Sequence, residues 1–178
     1  MPPRQTAFTL IELLLAVAVL GILLGFAVPG FANAMEAARA QEAKSALLAS
    51  ITRSISRAAI TGRRAVLCPS SDGQACGEGF DWSHGWIAFL DRNANRERDA
   101  GETLLVHQQA LPGKVQLHST SGRTRIVFQG NGGNAGSNVT FTLCDGRGPA
   151  KAETVVLNNR GGLRYGTPKP EAAAAACL

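Results

Sequence analysis

The densest set of oxygen donors in the sequence is Asp91, Asn93, Asn95, Glu97, Asp99 and Glu102. They fall at positions 1, 3, 5, 7, 9 and 12 of a twelve-residue loop, the spacing of an EF-hand calcium site. The sixth position of such a loop calls for glycine and here is Arg96, while Arg92 and Arg98 set two more cations against a bound one. The expectation is a solvated hairpin loop and no metal. His84, His107 and His118, with four cysteines, supply donor types for zinc or a thiol nucleophile. No histidine pair has helical metal spacing, however, and no cysteine stands in a nucleophile motif. The glycine-rich Gly130–Gly136 segment lacks the Lys-Ser/Thr and the helix of a phosphate loop and reads as a turn. No catalytic centre is complete and no cofactor is implied, so the chain is expected not to be an enzyme.

The cysteines carry a different chemistry. Cys68 and Cys76 are close in sequence, Cys144 and Cys177 are distant, and neither pair has the two-residue spacing that zinc sites prefer. Two disulfides are expected, Cys68 with Cys76 and Cys144 with Cys177, which requires an oxidising compartment. The net charge of +5 permits an anionic partner, but acidic and basic residues are interspersed and form no long cationic run.

One further ionisable residue stands out by its surroundings. Glu12 is followed by an apolar run from Leu13 to Val28 that contains no charged side chain. Counted from Phe8, the run has about 21 residues, where a membrane-spanning helix needs roughly 20. Arg4 lies on the short side, which favours a cytoplasmic leader and a translocated C-terminal bulk. A secretory signal peptide cut after Ala32-Asn33-Ala34 is the competing reading. Glu12 opposes it, because a carboxylate inside an apolar segment costs about 2.5–3.5 kcal/mol even on the permissive insertion scale and is usually retained for a purpose. With no lysine or arginine nearby in its own helix, it needs a cation from elsewhere.

Ala7-Phe8-Thr9-Leu10-Ile11-Glu12 followed by an apolar helix resembles the class III leader of type IV pilins and type II secretion pseudopilins. The resemblance implies a seven-residue leader, 1–7, cut by a prepilin peptidase between Ala7 and Phe8, with methylation of the new Phe8 amine. The family usually has glycine before the cut, so Ala7 is a departure. It also implies that Glu12 pairs with the N-terminal amine of a neighbouring subunit and sets the axial register, as a buried polar residue sets register in a coiled coil. The expected location is the inner membrane, crossed once, with the C-terminal domain in the periplasm and the subunit entering a pilus or pseudopilus.

The elements that would position these residues follow from periodicity. Residues 8–30 read as the transmembrane helix, with a kink or local melting expected at Pro29 and Gly30. Residues 31–62 read as an amphipathic helix whose apolar face carries Phe31, Met35, Ala38, Leu47, Leu48, Ile51, Ile55 and Ala59, ending at Gly62. From 63 to 167 the pattern changes to short apolar runs broken by glycine, asparagine and aspartate. Strands are expected near 65–68, 85–90, 103–109, 114–118, 125–129, 138–144, 154–158 and 163–165, with hairpin glycines at 130–134 and 158–162. No second helix is evident, and the alanine-rich tail, 168–178, reads as low-complexity chain tethered by Cys177. The fold class is α+β: a long N-terminal α-helix packed against an antiparallel β-sheet head domain.

The head is similar to the GspH/FimT family. Gly85-Trp86-Ile87-Ala88-Phe89-Leu90-Asp91, then Asn93 and Asn95, then Glu102-Thr103-Leu104-Leu105 resemble its GW-x-x-F-x-D…E hairpin, and Phe128 with Gly130 and Phe141-Thr142-Leu143-Cys144 resemble its later strands. The resemblance implies a minor pilin or pseudopilin with other such subunits, the prepilin peptidase and the inner membrane as partners. Some members capture DNA through a C-terminal Gly-Arg-x-Arg motif. The aligned residues here, Gly161-Gly162-Leu163-Arg164, lack its first arginine, although Arg160 lies just upstream and Arg123 and Arg125, with Arg147 and Lys151, are further cations. DNA is therefore an alternative partner, through phosphate contacts.

Overall fold

The structure is a computed structural model and describes residues 9–134 and 138–177. Helix α1 spans Leu10–Thr61. Eight strands follow: β1 Arg64–Pro69, β2 Trp86–Asp91, β3 Leu104–Gln108, β4 Gln116–Ser119, β5 Ile126–Phe128, β6 Val139–Cys144, β7 Glu153–Leu157 and β8 Leu163–Gly166. A short 3-10 turn covers Pro149–Lys151, and helix α2 covers Pro170–Ala176. The chain divides within α1 into two compact units, Met1–Met35 and Glu36–Leu178.

In the first unit the helix runs unbroken through Pro29. Proline removes a single N–H from the ladder, and the flanking turns carry the helix across that one gap, so the expected melting is not found. All side chains from Thr9 to Met35 are exposed in the isolated chain.

In the second unit, the helix half from Glu36 to Thr61 faces two four-stranded antiparallel sheets. Their strand orders are β3-β2-β1-β5 and β4-β6-β7-β8. The inner faces of both sheets and the helix share one core, in which Leu47, Ile51, Trp82, Trp86, Phe128 and Phe141 are fully buried. Each such aliphatic or aromatic side chain contributes roughly 1.5–3 kcal/mol on leaving water. Trp82 meets the Phe141 ring edge-on at 5.1 Å, an arrangement that aligns a ring edge with a negative face.

The buried stripe of the helix is Ala40, Ala43, Leu47, Ser50, Ile51, Ser54 and Ala58. Leu47 and Ile51 were expected there, whereas Ala38 and Ala59 are exposed and Leu48 and Ile55 only half-buried. The stripe is made mostly of alanine and serine because the sheets approach closely. Its serines tolerate burial by returning their hydroxyls to the helix: Ser50 Oγ donates to Ala46 O and Ser54 Oγ to Ser50 O, both at 2.7 Å.

Two further corrections concern the connections. The tail forms α2, which the sequence reading missed: Pro170 stands at the helix start and alanine has the highest helix propensity. The helix is held on the outer face of the second sheet by the Cys144–Cys177 disulfide and by Ala173 against Ala152. Residues 130–134 do not close a hairpin, because β5 and β6 belong to different sheets; they carry the chain between sheets, and residues 135–137 lie outside the described residues. The 158–162 segment does close the β7–β8 hairpin, with Gly161 at φ 81°.

Candidate assembly interface

The first described turn of α1 shows how the sequence treats the one carboxylate beside its apolar run. Glu12 Oε2 accepts the Thr9 backbone N–H at 2.9 Å and the Thr9 hydroxyl at 3.0 Å, while Thr9 Oγ1 accepts the Glu12 N–H at 3.3 Å. This reciprocal pairing is a capping box, in which a Thr at the N-cap and a Glu three residues on satisfy each other's amide. Sequence reasoning missed Thr9, although the Thr-x-x-Glu spacing was its signal. Ala7 and Phe8, the expected processing residues, lie outside the described residues. Thr9 is nonetheless the residue after Phe8 in the chain, so the capping box puts the Glu12 carboxylate at the first amide beyond it.

Beyond Glu12 the helix offers only apolar, glycine or proline side chains up to Phe31, and large ones such as Leu13, Leu20, Ile22, Leu24, Phe26 and Phe31 are more than half exposed. A helix apolar on every face has no stable place in water and needs lipid or neighbouring helices around it. A length and composition sufficient to cross a bilayer are present in this one helix of the described residues.

The basic residues of the head do not form one cluster. Arg160 sits in the β7–β8 turn and Arg164 on β8, the exposed edge of the second sheet. Strand register puts Arg164 opposite Val156 on β7. Arg123 follows β4, the other edge of that sheet, about 14 Å away across three strand spacings. Arg125 precedes β5 in the first sheet, where its guanidinium binds Glu97 Oε1 and the Arg96 carbonyl. Arg147 is likewise engaged: its Nε and Nη2 bond to the Asp145 carboxylate, and that pairing holds the Asp145 carboxyl below its ordinary range. Arg160 and Arg164 form no ion pair among the described residues.

Both disulfides are formed. Cys68–Cys76 closes the loop after β1, which Asp72 stiffens by accepting the Gln74 and Ala75 amides. His84, His107 and His118 are dispersed over a turn and two strands, and no group of three or more metal-binding side chains of the His, Cys, Asp and Glu types is found among the described residues.

A long N-terminal helix, apolar in its first half and packed in its second half on antiparallel sheets, defines a pilin-like α+β protein. The family model for type II transport protein GspH matches residues 43–161, and the prokaryotic N-terminal methylation motif matches residues 2–28. The chain belongs to the GspH family of minor pilins and pseudopilins. The fold is similar to that of the type IV minor pilin FimU of Pseudomonas aeruginosa, with a TM-score of 0.56 at 16% identity over 82% of this chain and 97% of that one. It is also similar to the minor pseudopilin EpsH of the Vibrio cholerae type 2 secretion system, with a TM-score of 0.53 at 14% identity over 73% of this chain and 98% of that one. No curated protein matches the sequence. Membership of the family implies assembly with other pilin-type subunits, and the apolar helix agrees with membrane anchoring. The α+β expectation and the family resemblance are both borne out.

Proposed function

We propose that this chain is a filament-forming minor subunit, held in the inner membrane with its head in the periplasm, cut between Ala7 and Phe8 and built into a type IV pilus or type II secretion pseudopilus. The observation that carries the reading is the apolar first half of α1, exposed on all sides and carrying a single carboxylate at its start. In the membrane the helix is stable alone. On extraction into a filament it is stable only if other such helices surround it. Glu12 then lies in an apolar bundle, where a cation must offset its charge, and the methylated amine of Phe8 on an adjacent subunit is of the right chemistry. The two disulfides support a head that works in an oxidising compartment.

The capping box supplies the discriminating test. Glu12→Gln keeps a side chain able to cap the helix and removes the charge, whereas Glu12→Ala removes both. Both variants are expected to insert normally, and both are expected to lose most incorporation into sheared filaments. Incorporation of Glu12→Gln at the wild-type level would reduce Glu12 to a helix cap and remove the charge-pairing step.

One observation favours a second reading, a role in DNA uptake. Arg160 and Arg164 share an exposed edge hairpin and are not spent on internal ion pairs, unlike Arg125 and Arg147. Two phosphate contacts per subunit imply sequence-independent binding with a log–log salt slope of about −2. A gel shift by the detergent-solubilised protein should show that slope and disappear in the Arg160→Ala, Arg164→Ala double variant. An unchanged shift in the double variant would remove this hairpin from the site.

A further inference from the structure

Asp91 closes β2 on the face of its sheet that also carries Val66, Ile87 and Phe89, and it is only 3% exposed. One carboxylate oxygen, Oδ2, accepts the Arg96 backbone N–H at 3.2 Å; the other, Oδ1, is buried without any hydrogen-bond partner. A buried carboxylate oxygen without a donor is costly, and a cation is the partner that offsets it best. The bond from Arg96 shows that the carboxylate is turned into the loop that follows.

That loop has the fold a cation would need. The objection raised by Arg96 at the sixth position does not hold, because Arg96 takes φ 67° and so adopts the left-handed conformation for which glycine is normally required. Asn95 N–H donates to Asn93 Oδ1 at 3.2 Å and Glu97 N–H to Asn95 Oδ1 at 2.8 Å. The Asn93 and Asn95 amides both donate to Asp99 Oδ2, at 2.7 and 2.8 Å. Glu102, 8% exposed, closes the loop by accepting the Arg92 and Asp99 amides on its two oxygens, at 2.7 and 3.2 Å. Asn93 Oδ1, Asn95 Oδ1 and each Glu102 oxygen accept one of these bonds and keep a lone pair, whereas Asp99 Oδ2 accepts two and leaves Oδ1 as the oxygen that can face an ion. Of the loop's own arginines, Arg98 Nη1 donates to the Gln74 carbonyl and Arg92 and Arg96 are exposed; Arg125, from just before β5, does reach the loop, where the Glu97 carboxylate offsets its charge and the Arg96 carbonyl accepts from its Nε.

We propose that the Asp91–Glu102 loop is a calcium site, with Asp91 Oδ1 as its innermost ligand, Asn93, Asn95, the Glu97 main-chain carbonyl and Glu102 completing an all-oxygen set, and Asp99 reaching the ion through a water. Carboxylate, amide and carbonyl oxygens in a loop suit a hard cation of variable coordination; they do not suit zinc or copper, which prefer imidazole or thiolate. The neighbouring arginines place the affinity in the weak range of extracellular modules, a Kd of about 10⁻⁴–10⁻³ M. Bound calcium would fix the β2–β3 connection over the first sheet. This inference concerns the head alone and stands apart from the reading of Glu12.

The test uses the full chain in detergent, with calcium or magnesium chloride as the probe against EDTA. At ten times Kd, calcium should raise the thermal midpoint by about 3–6 °C, with magnesium giving at most a small part of that rise. Asp99→Asn removes an exposed carboxylate that reaches the ion through water but keeps an oxygen for the Asn93 and Asn95 amides, so it should weaken the calcium response about tenfold in concentration with only a small change of the midpoint in EDTA. Asp91→Asn removes the unpartnered charge, so it should abolish the response while leaving the EDTA midpoint equal or higher. No rise in the wild type at 10 mM calcium, about ten times the weakest expected Kd, would overturn the proposal. So would an equal rise with magnesium, or an undiminished calcium response in both variants.

Discussion

Of the side-chain bonds that join the helix to the sheets, those of Lys44 with Glu153 and Glu36 with Gly146 are exposed, and one is buried. Trp86 Nε1 donates to Ser50 Oγ at 2.9 Å, and both residues are buried. Trp86 is delivered there by Gly85, whose φ of 111° and position 2.4 Å from the Gln108 carbonyl, measured to where a Cβ would lie, exclude any other residue. Ser50→Ala would leave the indole N–H buried and unpaired, at a cost of about 1–3 kcal/mol. Denaturant unfolding should show that loss in the wild-type background and almost none when Trp86 is already Phe, since phenylalanine has no N–H to satisfy. Equal losses in both backgrounds would mean that the serine acts through the helix rather than through the tryptophan. This bond was not legible in the sequence. A serine inside an amphipathic helix reads as polar surface, and only the closeness of the sheet makes it interior. Gly85 and Trp86, by contrast, were legible as the start of a strand, because a glycine followed by the short apolar run Trp86 to Leu90 reads as one, and the resemblance to the GW-x-x-F-x-D…E hairpin gave its partner.

At the scale of elements, the eight strands lie within a residue or two of where the short apolar runs indicate them. What periodicity could not supply was their division into two sheets, since pairing between β1 and β5 or β4 and β6 is set by the helix surface they share. The tail was misread for a related reason: a run of alanines has high helix propensity yet no amphipathic pattern to reveal a docking face. Helix α2 has only seven residues and is too short to persist in water by itself. Its stability must come from the sheet and from the Cys144–Cys177 bond, which closes a separation of 33 residues. Loop entropy assigns that crosslink roughly 3–4 kcal/mol. Replacing both cysteines by serine should lower head stability by about that amount, and amide exchange over 170–176 should accelerate to the rate of an unstructured peptide. Slow exchange persisting in the variant would mean that Ala173 and its contacts suffice.

At the scale of the whole molecule, the chain combines an apolar helix that needs a non-aqueous environment with a head that is complete and crosslinked by itself. That division was legible from the first thirty residues, where the length of the apolar run and the position of Glu12 define an anchor. The capping partner Thr9 was not, because its role concerns the helix terminus rather than the membrane. The reading that unites both halves is a subunit cut before Phe8, with Glu12 held one turn inside the new terminus. The measurement that tests it most directly is the mass of the N-terminal peptide of the protein recovered from the membrane or from sheared filaments. The account predicts a mature chain beginning at Phe8 with a methylated amine. A chain beginning at Met35, or one that still carries Met1–Ala7 in assembled filaments, would contradict it.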